Sequence, residues 1–149
     1  MRTSNNRHGA SSKAMLLQLP TNYVRAASLE AHLALSVCRS GQGNRHQFYR
    51  LIRMTYLSYL MWQDGYGAAD YELYCRGEGA LESAAEHAYA HGYWGFSGEA
   101  AAPALEIVRI YDGQLCKVAR GRYLENVAKL ERLLRLEIPR KLSARTDLA

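Results

Sequence analysis

Two histidines four residues apart, His87 and His91, have the spacing in this chain best suited to holding a metal ion. On a helix they share one face and reach toward the same point. The residues between them are Ala88, Tyr89 and Ala90, so the glutamate that helical metalloproteases carry between their histidines is missing. Glu82 and Glu86 lie nearby, but no Glu-x-x-His pair of the di-iron kind occurs. The expectation is two helix-end histidines favoured by the C-terminal dipole, with no metal and no cofactor. A metal-dependent enzyme would need a third ligand from elsewhere in the chain.

The other reactive side chains are as sparse. Cys38, Cys75 and Cys116 are odd in number and widely spaced, without metal or redox spacing. They read as reduced, mostly buried thiols of a cytoplasmic protein. His32 has no acid or nucleophile at helical spacing on its own segment and reads as a core-edge histidine. Ser40-Gly41-Gln42-Gly43-Asn44 precedes a helix and is flanked by Arg39 and Arg45. An anion would suit such a helix start, but a plain turn is the expectation. No Gly-rich loop follows a strand, and no nucleophile elbow appears. Chemistry is therefore not where the sequence points.

The elements that must position these residues are helical. The chain has 149 residues and only 3 prolines, enough for one domain with a buried core. The longest patterned stretch is residues 44–63. Asn44 is a good N-cap, and Phe48, Leu51, Ile52, Thr55, Tyr59 and Trp62 follow the three-and-four spacing of one helix face. Beyond Arg53 this helix is apolar or aromatic nearly all round, which predicts burial by neighbours on several sides. Its uncharged run is too short for a bilayer, so no membrane partner is expected.

The remaining helices are expected around it. The first spans about 28–39, capped by Ser28, with an apolar seam of Leu29, Leu33 and Val37. The third spans about 69–89, with Gly77 and Gly79 inside it and an acidic face of Glu72, Glu78, Glu82 and Glu86. The fourth starts near Pro103 and continues across Asp112-Gly113; the fifth spans about 122–136 with a leucine stripe. The fold class is all-α: a compact bundle of about five helices around a central aromatic-rich helix, occupying residues 23–138. Residues 1–22 read as a mobile basic arm and 139–149 as a basic C-terminal tail.

The formal charge is +5, distributed as +4 over residues 1–26, +3 over 27–60, −7 over 61–115 and +5 over 116–149. Basic ends thus flank an acidic middle. The expected function is non-enzymatic: an accessory or regulatory binding protein that meets nucleic-acid phosphates through Arg2, Arg7, Lys13, Arg140, Lys141 and Arg145. A helix-turn-helix reader is not expected, because the second helix is too long and too aromatic to lie in a groove. The competing class is a protein–protein adaptor or inhibitor using the acidic third helix and the Tyr93-Trp94-Phe96 loop. That loop would otherwise plug one end of the bundle. So apolar a chain also invites a homodimer.

The runs SLEAHLALSVCRSGQGNRHQFYRLIRMTYLSYL and RYLENVAKLERLL resemble a group of short all-helical proteins of proteobacterial plasmids and integrative elements. Some of these are labelled Fis-like transcriptional regulators. The resemblance covers residues 24–136, and its most recognisable pieces are Ser28-Leu29-Glu30, Ser40-Gly41-Gln42-Gly43-Asn44 and Arg122-Tyr123-Leu124. It implies a helical fold and a regulatory role beside DNA.

Overall fold

The computed structural model describes residues 13–135. Five α-helices follow one another: α1 Thr21–Arg39, α2 Arg45–Gln63, α3 Tyr71–His91, α4 Ala102–Lys117 and α5 Arg120–Arg135, with a 3-10 turn at Gly98–Ala101 before α4. The described residues contain no strand, only one isolated bridge between Gln18 and Ala119. The fold is the helical bundle its sequence pattern predicts.

Helix α2 packs against all four of the others. Asn44 caps it, its side-chain oxygen accepting the Gln47 N–H at 3.0 Å. Nine of its nineteen residues are buried, among them Phe48, Leu51, Tyr59 and Met61. Its aromatic half is gripped by α3: Tyr59 and Trp62 lie 5.5 Å and 5.6 Å from the Tyr74 ring, in the offset range that aromatic pairs prefer. Asp70 caps α3 through the Leu73 N–H at 2.7 Å. Gly77 is where α3 meets α4, because a Cβ there would stand 2.5 Å from Ile107 Cδ1. This glycine permits a close helix approach rather than a kink.

The first helix corrects the sequence reading twice. It starts at Thr21 after Pro20, about two turns before Ser28. Ser28 does not cap it; the hydroxyl donates instead to Asp112 Oδ1 of α4 at 2.6 Å. The buried face is also different. Ala31, Ala34, Leu35 and Cys38 face the core, while Leu29 and Leu33 are 59% and 54% exposed. Small side chains let α1 lie close to α2 and α4, and this close contact outweighs burial of the larger leucines.

Residues 13–20 do not hang free of the body. A helical turn at residues 13–15 leads into contacts with the start of α5, where Leu17 O accepts the Arg120 N–H at 2.7 Å. Met15 lies over Gly121, whose added Cβ would come within 3.0 Å of Met15 Cβ. The part of the expected arm that is described is therefore docked. Helix α4 runs unbroken through Asp112-Gly113, and the break before α5 falls at Val118 and Ala119.

Two glycines give opposite expectations. A Cβ on Gly43 would sit 2.5 Å from the Trp94 carbonyl oxygen and 3.2 Å from Cys38 Cα, both on backbone that cannot step aside. Gly79 is an exposed helical position with open space around it. Gly43→Ala is expected to destabilise the fold by about 1–3 kcal/mol, as overpacking does. Gly79→Ala is expected to stabilise it by about 0.5–1 kcal/mol through helix propensity. Urea unfolding of the two variants checks both signs.

Candidate functional site

A concavity lies between α2 and α3 and is closed at one side by the end of α5. Its volume is about 350 Å³. Helix spacing explains the lining. Tyr49, Ile52 and Tyr56 recur along one face of α2, and Glu78, Glu82, Ala85 and Tyr89 along the facing side of α3. Ile52, Leu81, Ala85 and Leu134 make an apolar floor, and the small Ala85 leaves the space between the two helices. Glu78, Glu82 and Glu86 form an acidic rim. Tyr56 donates its hydroxyl to the Glu78 carboxylate, so this part of the rim is held in place. Tyr89 is 68% exposed and its ring meets Trp94 edge-on at 5.2 Å.

A second, smaller cleft of about 200 Å³ opens between α1, α2, α4 and α5. Tyr23, Tyr111 and Tyr123 line it together with Arg50 and Arg53. Its charges neutralise one another. Arg50 Nη1 is 2.7 Å from Glu30 Oε2, and Arg53 Nη2 is 2.5 Å from Glu131 Oε1. The Tyr23 and Tyr123 hydroxyls meet at 2.5 Å. Glu131 of α5 thus reaches across to the central helix. At the outer edge, Asp112 takes Ser28 on one oxygen and His32 Nε2 on the other, both at 2.6 Å. A nucleophile–base pair needs the imidazole between hydroxyl and acid, whereas here the carboxylate stands in the middle. His32 was read without an acid partner because Asp112 lies 80 residues away in sequence.

The residues that the sequence singled out are placed as follows. Of the expected phosphate contacts, Lys13 is exposed beside the start of α5. Arg2, Arg7, Arg140, Lys141 and Arg145 lie outside the described residues. Within the aromatic loop, Phe96 is 7% exposed and stacks on Phe48 at 5.4 Å, and Trp94 meets the same ring at 5.2 Å. Phe96 thus belongs to the core and offers no surface to a partner. Tyr93 remains 44% exposed. His87 and His91 stack at 4.3 Å, and among the described residues no group of three or more metal-ligating side chains forms around them or anywhere else. No helix among the described residues is long and apolar enough to cross a membrane.

Cys38 is buried, Cys75 half-buried and Cys116 exposed, so one of the three expected buried thiols is on the surface. Burial pushes the Cys38 thiol up to about 11. It also raises the hydroxyls of Tyr74, Tyr111 and Tyr123 above their ordinary value. Tyr123 is held further by the Tyr23 hydroxyl. No family model matches this chain, and no curated protein or solved structure matches it either.

These four buried acids predict an alkaline limit. The folded chain keeps their protons at a pH where the unfolded chain releases them, so stability is fully present below their ordinary values and falls as pH rises through them. The decline is expected to begin near the ordinary thiol value of 9.0 and steepen beyond the phenol value of 10.0. Each retained proton contributes a slope of about 1.4 kcal/mol per pH unit. Urea midpoints between pH 8 and pH 10.5 measure it, and Tyr111→Phe is expected to remove its own share of the slope.

Proposed function

We propose that this chain is a non-enzymatic binding protein, and that its groove between α2 and α3 receives an apolar, basic-flanked segment of a protein partner. The observation that carries this reading is the pairing of an apolar floor with an acidic rim in one hollow. Burial of apolar side chains there supplies affinity, at roughly 25 cal/mol per Å² removed from water. The rim selects for positive flanks and repels acidic ones. In the second cleft the arginines are already partnered by glutamates, which leaves less for a ligand to gain. The reading is the adaptor or inhibitor class, with the docking surface on α2 and α3 instead of the Tyr93-Trp94-Phe96 loop.

One observation supports contact with nucleic-acid phosphates as a second reading. The docking of residues 13–20 on the start of α5 brings this basic segment to the end of the bundle that bears exposed Lys117 and Arg120. Such an edge would hold phosphates without reading bases. It accords with the resemblance to regulators of mobile elements and with a cytoplasmic place of action.

Two titrations test these readings. A fluorescein-labelled peptide of leucine and lysine is expected to raise its anisotropy on binding the chain, and more weakly at high salt. Ala85→Glu, which puts a charge on the apolar floor, should weaken this binding about tenfold or more. The docking reading is overturned if Ala85→Glu changes nothing. It is equally overturned if the peptide does not bind the wild-type chain. A labelled random-sequence DNA duplex is expected to bind with steep salt dependence, and Lys117→Ser/Arg120→Ser to reduce that slope by about 2. Salt-independent binding, or none, removes the phosphate reading.

A further inference from the structure

We infer that the tyrosine-lined cleft between α1, α2, α4 and α5 is a binding site for a small neutral aromatic molecule bearing a carbonyl group, which the Tyr111 hydroxyl holds. The site is separate from the α2–α3 groove and does not depend on it. The two use different faces of α2, with Arg53, Met54 and Leu57 on the cleft and Ile52 and Tyr56 on the groove.

The first support is a free hydroxyl. Tyr111 is 6% exposed and lines the cleft. Its hydroxyl has no hydrogen-bond partner among the described residues. Tyr23, Glu30 and Arg53 act on its ionisation, and all three line the cleft, so its oxygen end is turned toward the hollow. The one unpartnered side-chain atom sealed from solvent among the described residues is Asn126 Oδ1, so the Tyr111 oxygen can still be reached from outside. Burial keeps the proton on it, which makes the group a donor. A carbonyl oxygen brought into the cleft would satisfy that donor.

The second support is charge. Arg50 is held by Glu30 at 2.7 Å and Arg53 by Glu131 at 2.5 Å. An anion would compete with these carboxylates, and a cation with the arginines. A neutral molecule leaves both pairs intact. The third is size and lining. The cleft measures about 200 Å³, and a cavity of about 150 Å³ suffices for benzene. There is room for one ring with a short substituent. Ala27, Ala31, Leu57 and Leu130 offer apolar walls. The Tyr23 and Tyr123 rings meet edge-on at 5.6 Å and add aromatic surface on which a flat ring packs. Their hydroxyls are bonded to each other, whereas that of Tyr111 is free to orient the ligand.

The test uses the full chain, isotope-labelled, with amide shifts followed by nuclear magnetic resonance. The probes are acetophenone, toluene, benzoate and benzylammonium. Acetophenone is expected to shift the amides of Ala27, Ala31 and Leu57 in a saturable way and to leave those of Ala85 and Tyr89 in place. Benzoate and benzylammonium are expected to bind about tenfold more weakly. Tyr111→Phe keeps the ring and removes the donor. It is expected to weaken acetophenone about fivefold to tenfold and toluene by less than about twofold. Ala27→Phe fills the cleft from α1 and is expected to abolish the shifts with both. Near-ultraviolet circular dichroism shows whether each variant is folded, and the location of the wild-type shifts decides the site even where one is not. Absence of saturable shifts with acetophenone overturns the inference. Shifts centred on Ala85 and Tyr89, or shifts that survive Ala27→Phe, place the ring elsewhere and overturn it too. Equal weakening of acetophenone and toluene by Tyr111→Phe removes the role of the hydroxyl. Tighter binding of benzoate than of acetophenone overturns the neutral class of ligand.

Discussion

Gln114 is the side chain on which the mutual placement of α2, α3 and α4 depends. It is fully buried. Its amide nitrogen donates to the carbonyl of Ser58 at 3.0 Å and to that of Tyr66 at 2.9 Å. Its oxygen accepts the Ser58 hydroxyl at 2.7 Å, and the Tyr74 hydroxyl meets the same serine at 2.9 Å. One amide therefore ties the middle of α2, the following loop, α3 and α4 into a single arrangement. A buried donor or acceptor left without a partner costs about 1–3 kcal/mol. Sliding any of these helices by a turn would strand several such groups at once. Apolar contacts hold the bundle together without fixing its register, and this polar knot supplies the register.

The α2–α3 groove follows from that arrangement. With Ser58 and Tyr74 fixed against each other, the two helices leave Ile52 and Tyr56 on one side facing Leu81 and Ala85 on the other, a helical turn or two from the knot. The Tyr56–Glu78 hydrogen bond lies between the knot and the groove and closes that end. At the other end Tyr89 rests on Trp94, and Trp94 on Phe48. The aromatic loop thus braces the Tyr89 wall of the hollow. Gly43 belongs to this wall too, since it is the residue that lets the Trp94 backbone approach the start of α2.

How much of this was legible in the sequence divides by the range of the interaction. Helix α2 was plain because a cap and a three-and-four period are local signals, and Asn44 and Phe48 stand close together. The bundle class followed from the same kind of pattern. The face of α1 was misread because the rule applied was that larger apolar residues go inward. Here Ala31, Ala34 and Cys38 bring α1 close to α2 and α4, with Leu35 buried beside them, and that spacing leaves Leu29 and Leu33 outside. No pattern within α1 encodes that spacing. The groove was half visible: the acidic run on α3 showed, but its apolar floor did not. Ile52, Ala85 and Leu134 come from three helices and meet only once the fold has formed. Ser58 and Gln114, 56 residues apart, gave no signal at all.

The distribution of charge separates the two concavities by what they can still do. In the tyrosine-lined cleft each arginine faces a glutamate at contact distance, and opposite charges so placed cancel locally and hold α2 to α1 and α5. A charged ligand there would have to displace bonds already made. In the α2–α3 groove the charged side chains share one sign, and no arginine or lysine is among the described residues that line it. Floor and rim thus favour the same kind of visitor, one apolar in its middle and basic at its flank. That combination comes from folding α3 beside α2, because neither helix alone presents both the floor and the rim.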